Sequence, residues 1–346
     1  MNSRLSILAV ATALAVTACG GGGSGGGGGV LLPLPPAPAP EPPPPAPAPV
    51  PEPPPPAPPP APPPAPAART FLYETLPAAG STSVFLAQLN AQGARGFRFL
   101  GGLAFTPSST SVELVEGYVK DATATYTYER LAPPADAAAL SAQLNAQGAR
   151  GFAWIGAYSV GGETSFIYQK QGASATTFGY RVLAAQSAGA DYIAQANAQG
   201  ADGFLGFAPS YLIGAAAVAI YGKRSDSAST FSYELAAAPA GDAAFLTNLN
   251  SAGARGFRLR TPYFFTEGIR LVFARDNAQP TTFAFLGLAP QTGSTAFVAQ
   301  ANAEGARGNG YMGDYVLPSG AIATLYFDET GCGDSLLCVP NSFLGW

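Results

Sequence analysis

The sequence predicts an α+β protein in which one β-α-β-β unit of about 53 residues recurs in five tandem copies behind a long Gly/Pro-rich leader. Three periodic observations carry this expectation. Five asparagines, Asn90, Asn145, Asn197, Asn250 and Asn302, stand 52 to 55 residues apart. The strings around the first two are identical, Gln-Leu-Asn-Ala-Gln-Gly-Ala-Arg-Gly-Phe at 88–97 and 143–152. An aromatic-x-aromatic pair precedes each asparagine: Phe71 and Tyr73, Tyr126 and Tyr128, Phe178 and Tyr180, Phe231 and Tyr233, Phe283 and Phe285. An aromatic-x-basic pair closes four copies, Tyr118 with Lys120, Tyr168 with Lys170, Tyr221 with Lys223 and Phe273 with Arg275, whereas the last ends on Tyr326 and Asp328.

Each element of the unit follows from these markers. Aromatic and polar residues alternate through Thr125-Tyr126-Thr127-Tyr128-Glu129, the pattern of a strand with one buried face. A helix of about three turns comes next: in the second copy Asp136 is a good N-cap, Leu140 and Leu144 repeat at i, i+4, and Gly148 is expected to be the left-handed residue that ends it. The Gly-Phe that follows opens a second strand, as in Gly96 to Leu100, and the aromatic-x-basic pair closes a third. The copies divide as 69–122, 123–174, 175–227, 228–279 and 280–329, with a tail at 330–346. So small a unit is marginal alone, which implies that neighbours share a core. Five such units can close into a pseudo-fivefold ring or extend as an open row.

The pattern resembles a family of small bacterial domains of unknown function that carry Leu-Asn-x-x-Gly-x-x-Gly-aromatic between an aromatic first strand and a last strand ending in Lys or Arg. The resemblance covers about residues 70 to 328, departs at Asp202 and Asn309, and implies a fold with no reaction attached. Fan-shaped enzymes built from comparable units act on guanidino groups with a cysteine and a histidine, and residues 69–329 contain neither.

The leader reads as three pieces. Residues 1–18 have a positive start at Arg4 and an apolar run from Leu5 to Val16, too short to span a bilayer and suited to an export signal. Leu14-Ala15-Val16-Thr17-Ala18-Cys19 resembles the bacterial lipobox, which implies that Cys19 is the lipidated mature N-terminus. Gly20 stands where an aspartate would resemble the inner-membrane retention signal, so the resemblance points to the outer membrane, either face. Residues 19–29 form the anchor and a swivel of nine glycines and one serine, and 30–68 form a stalk in which 23 of the 34 positions from Pro33 to Pro66 are proline. As polyproline II, at about 3.1 Å per residue, that stalk reaches on the order of 100 Å.

Composition excludes several functions. Charged residues are only 11% of the chain, and 17 Lys+Arg against 21 Asp+Glu leave a net charge of -4, so no nucleic-acid partner is expected. The chain has no histidine, which removes imidazole bases, Ser-His and Cys-His pairs and His-ligated metals. No cofactor is implied. Cys332 and Cys338 form a natural disulfide pair in an oxidising compartment, with a free-thiol or metal role as the alternative. A residue present in every copy is first a requirement of the fold, and the five asparagines are expected to clamp nearby backbone. Arg95, Arg150, Arg255 and Arg307 follow a helix end, where a cation meets exposed carbonyls; their functional alternative is a multivalent grip on acidic polymers, interrupted at Asp202. Arg255, Arg258, Arg260 and Arg270 read as a solvated face, and Glu163, Glu267 and Asp314 as acids of unrelated loops. The expected role is a non-catalytic envelope lipoprotein that binds a polysaccharide or protein partner and is held to the membrane by its lipid. The alternative is a carboxylate-based hydrolase of an envelope or extracellular polymer.

Overall fold

The computed structural model describes residues 69–121, 124–333 and 335–340, so the export signal, Cys19, the glycine swivel and the proline stalk lie outside it. The fold is α+β, with five helices and five three-stranded antiparallel sheets among the described residues. The elements run β1 (Leu72–Pro77), α1 (Thr82–Ala94), β2 (Arg98–Ser108), β3 (Ser111–Lys120), then β4 (Tyr126–Leu131), α2 (Ala137–Ala149), β5 (Ala153–Val160), β6 (Glu163–Gln171). The next eight are β7 (Phe178–Ala184), α3 (Gly189–Ala201), β8 (Leu205–Ile213), β9 (Ala216–Arg224), β10 (Phe231–Ala237), α4 (Asp242–Ala254), β11 (Arg258–Phe265) and β12 (Gly268–Asp276). The last four are β13 (Thr282–Leu288), α5 (Ser294–Gly305), β14 (Gly310–Val316) and β15 (Ile322–Thr330), followed by one 3-10 turn at Leu336–Cys338. In every sheet the strand that closes the segment is central, flanked by the strand before the helix and the strand after it. None of the described helices is long and apolar enough to cross a membrane.

Each of the first four helices packs on the first strand of the sheet that follows it, α1 on β4, α2 on β7, α3 on β10 and α4 on β13, and α5 packs on β1. The asparagines make this contact. In each, Oδ1 accepts the main-chain N–H of the second aromatic of that strand at 2.6 to 2.9 Å, and Nδ2 donates to the same residue's carbonyl at 3.1 to 3.2 Å. The pairs are Asn90 with Tyr128, Asn145 with Tyr180, Asn197 with Tyr233, Asn250 with Phe285, and Asn302 with Tyr73. A carboxamide satisfies both main-chain groups of an edge strand as a neighbouring strand would. The tyrosine hydroxyls complete the joint: Tyr128, Tyr180, Tyr233 and Tyr73 Oη accept from the N–H of Phe99, Trp154, Gly206 and Tyr311. Those amides sit where the second strand bulges out of register.

The glycine before each helix end has a different task from the one expected. Gly148 is helical, and the left-handed conformation falls on Gly151, at φ +84°. A Cβ on Gly148 would stand 2.1 Å from the Phe178 carbonyl oxygen, and Gly93, Gly200, Gly253 and Gly305 meet the next strand at 2.1 to 2.2 Å in the same way. Gly148 therefore allows close approach of two backbones, while Gly151 turns the chain.

The starts of the helices are also served from the following sheet. Neither Ala188 nor Gly293 can cap with a side chain, yet Glu267 accepts from Gly189 N–H at 2.9 Å and Glu113 from Ser294 N–H at 2.8 Å, while Glu163 accepts the Thr82 hydroxyl. Glu163 opens β6 and Glu267 is the last turn residue before β12, so the two stand one position apart in hairpins of equal length. Their carboxyls are held below the ordinary 4.5: Glu113 by both Ser294 bonds, Glu163 by Arg130 and Thr82, Glu267 by its own backbone and Gly189. An acid so lowered contributes stability that is complete above its unfolded value of 4.5 and is lost as pH falls through the folded value. Glu113→Gln is expected to lower the thermal midpoint at neutral pH and to flatten the acid limb of a plot of midpoint against pH, so that the variant and the parent converge below about 4.5.

The core lies between successive segments. One apolar cluster joins Phe85, Leu89 and Tyr118 of the first segment to Tyr126, Tyr128 and Ile167 of the second, and another joins Phe71, Tyr73 and Val119 of the first to Phe297, Ala301 and Tyr326 of the fifth.

Candidate functional site

The arginines singled out by their spacing are each engaged beside their own helix. Arg95 forks onto both oxygens of Glu74 at 2.7 Å, Arg150 onto Glu129 at 2.7 Å, and Arg255 onto Glu234 at 2.5 and 2.8 Å. Arg307 pairs with Glu304. The Arg95, Arg150 and Arg255 guanidiniums lie 5.0 to 5.1 Å from the rings of Phe97, Phe152 and Phe257, and the basic residue closing the third strand covers each ring as well. Lys120 and Lys170 also donate to the Arg95 and Arg150 carbonyls at 2.9 Å. Asp202 preserves the pair by reversing it: Arg181, at the position of Glu74 and Glu129, bonds Asp202 at 2.6 Å and lies 4.1 Å from the Phe204 ring. The double change Glu129→Arg with Arg150→Asp is therefore expected to melt close to the parent, and Arg150→Asp alone well below it, because the single change sets two acids side by side. A double-mutant cycle of melting temperatures checks this.

Charge is concentrated at another place, the ends of the central strands. Arg69 bridges Asp121 and Glu329 at 2.9 Å each, and Arg98, buried, bonds Asp121 at 2.9 Å. Burial alone would lower the Arg98 affinity for its proton and raise that of Asp121. The attraction between them wins on both sides, lifting Arg98 above and holding Asp121 below their ordinary values. Glu329 goes the other way: burial outweighs Arg69 and pushes its carboxyl up.

The tail completes this region. Cys332 and Cys338 are joined in a disulfide with Cα atoms 5.9 Å apart, and Ser335 inside the loop donates to buried Asp276 at 2.7 Å. Three guanidiniums grip consecutive main-chain carbonyls: Arg258 holds Leu337 and Val339, Arg69 holds Cys338, and Arg98 holds Pro340. Arg258 is 1% exposed, so the reading of its cluster as a solvated face is corrected: Arg258 is enclosed, its guanidinium 4.1 Å from the Phe327 ring. Burial, then the like charge of Arg260, lowers Arg258 to about 9. Glu329 and the two sulfurs lie within 4.8 Å of one another, but the sulfurs are joined in the disulfide and Glu329 Oε1 is paired with Arg69.

Beside the tail opens a cavity of about 640 Å³. One sequence position supplies much of its wall, the residue directly after the aromatic-x-basic pair: Asp121, Gln171, Arg224 and Glu329 line it. The fifth such residue is Asp276, which holds the tail. Spacing alone did not single this position out, because its residue differs from copy to copy. A usable signal was there in polar residues at the end of every central strand, and in Arg98 and Arg258 where other copies carry Ala153, Leu205 and Gly310.

The structure thus does not gather the four spaced arginines at the cavity; it brings together Arg69, Arg98, Asp121, Glu329 and the disulfide loop. Cys19 lies outside the described residues. No family model, curated protein or solved structure matches this chain.

Proposed function

We propose that this chain is an outer-membrane lipoprotein, anchored through a lipid on Cys19, whose stalk presents a rigid binding head for an envelope polysaccharide, and that the head is five copies of one β-α-β-β unit closed into a ring. The contact of α5 with β1 supports closure, since Asn302 clamps Tyr73 with the bonds that Asn90 makes to Tyr128. One observation carries the binding reading: a 640 Å³ cavity, within the range of about 300–1,000 Å³ typical of ligand sites, whose wall is drawn from several copies and the tail. The spaced arginines, being paired to carboxylates, serve the scaffold in this reading.

A second reading, hydrolysis, draws on one observation. Asp121 and Glu329 line the same cavity with their proton affinities pushed in opposite directions, as in sites that split acid and base roles between two carboxyls. Immobilising the chain and passing wall glycans and surface polysaccharides over it separates the two. Retention of intact polymer is the expected result, release of shortened chains supports hydrolysis, and passage of all of them unretained and uncut overturns the binding reading. Cys19→Ala is expected to abolish incorporation of labelled palmitate, and continued labelling overturns the anchor.

A further inference from the structure

We infer that the cavity at the strand ends takes an uncharged, hydroxyl-rich ligand, one or two sugar units of a neutral glycan. This rests on the binding reading above and names its ligand class. Both signs of charge are present in the wall, and each is already compensated. Arg69 is divided between Asp121, Glu329 and the Cys338 carbonyl, Arg98 holds Asp121, and Arg224 sets Nε and a terminal nitrogen on Asp226 at 2.9 Å. An anionic ligand would have to displace these carboxylates, and a cationic one would enter beside Arg69 and Arg98; either exchange costs desolvation with no new net attraction.

What the wall still offers is neutral hydrogen bonding and apolar surface. Glu329 has a side chain only 7% exposed and an Oε2 with no hydrogen-bond partner among the described residues, a buried acceptor that calls for a donor. The Gln171 carboxamide, on an exposed residue, lies on the same wall and can both donate and accept. Tyr126 and Phe178 add aromatic surface. A sugar answers all three, since each hydroxyl donates and accepts at once and its C–H face lies against aromatic rings. The volume has room for a sugar unit with a neighbour and is too small for a folded partner.

Calorimetric titration of the full chain carrying Cys19→Ala with chitotriose, maltotriose and trigalacturonate tests this. At least one neutral trisaccharide is expected to bind, weakened tenfold or more by Gln171→Ala or Glu329→Gln and lost with Ser174→Trp, which puts an indole into the wall from a half-buried loop position. Thermal melts matching the parent establish that Gln171→Ala and Ser174→Trp fold. Three results overturn the inference: no heat from any of the three sugars, tighter binding of trigalacturonate than of both neutral sugars, or neutral binding that survives Gln171→Ala and Ser174→Trp. Polymer retention that persists in Ser174→Trp leaves the binding reading standing and moves the site elsewhere, whereas loss of retention in the parent itself removes both.

Discussion

Gly148→Ala is expected to destabilise the fold by about 2 to 3 kcal/mol, although the same exchange inside a solvated helix stabilises it by about 1 kcal/mol. The sign reverses because the new Cβ would stand 2.1 Å from the Phe178 carbonyl oxygen, which belongs to the next strand's backbone and cannot swing aside as a side chain can. The helix must lift away from β7, stretching the Asn145 clamp and opening the packing of Leu140 and Leu144, both fully buried. Gly179→Ala is the control, for a Cβ there meets nothing within 4 Å. A lower urea midpoint for the first variant, with the second near the parent, is the expected pair of results. A Gly148→Ala protein as stable as the parent would mean that helix and strand are not in contact.

The second large effect is expected at Asn302. Asn302→Ala strips both main-chain groups of Tyr73 of their partner, and at about 1 to 3 kcal/mol for each polar group left unsatisfied in a part-buried site the loss comes to about 3 kcal/mol. Asn302→Asp falls between, because a carboxylate still accepts the Tyr73 N–H at Oδ1 but cannot donate to its carbonyl. Asn145→Ala makes the comparison, since its bonds to Tyr180 join adjacent segments whereas those of Asn302 join residues 229 positions apart. Similar losses in urea denaturation are expected; an Asn302→Ala protein with the parent's midpoint would show that the last contact contributes nothing.

Much of this fold was legible in the spacing of a few residues, and the reasons differ by residue. The asparagines were readable as backbone clamps because a carboxamide in a helix, recurring with an aromatic pair, has few other uses. Which strand they clamp was not readable, since sequence order does not say whether a helix rests on its own sheet or the next. The glycine at 148 was assigned to a turn because left-handed conformation is its commonest use, whereas the approach of the Phe178 backbone arises only from packing. At the site, fixed spacing points to Arg95, Arg150 and Arg255, which recur because each pairs with the carboxylate of the strand before its helix. The cavity is lined where that recurrence breaks down, at Arg98, Asp121, Gln171, Arg224 and Glu329, while Asp276 and Arg258 hold the tail beside it. The tail was legible only as far as its disulfide. Its seat on Arg69, Arg98 and Arg258 depends on residues as much as 269 positions away.

Closure of the five units is the central claim, and amide hydrogen exchange reads it most directly. The main-chain amides of Tyr73, Tyr128, Tyr180, Tyr233 and Phe285 all donate to an asparagine Oδ1, but only that of Tyr73 depends on the far end of the fold. Protection of Tyr73 comparable to that of the other four is expected. Exchange of Tyr73 at the rate of a frayed terminal strand, with the others protected, would contradict closure and leave an open row.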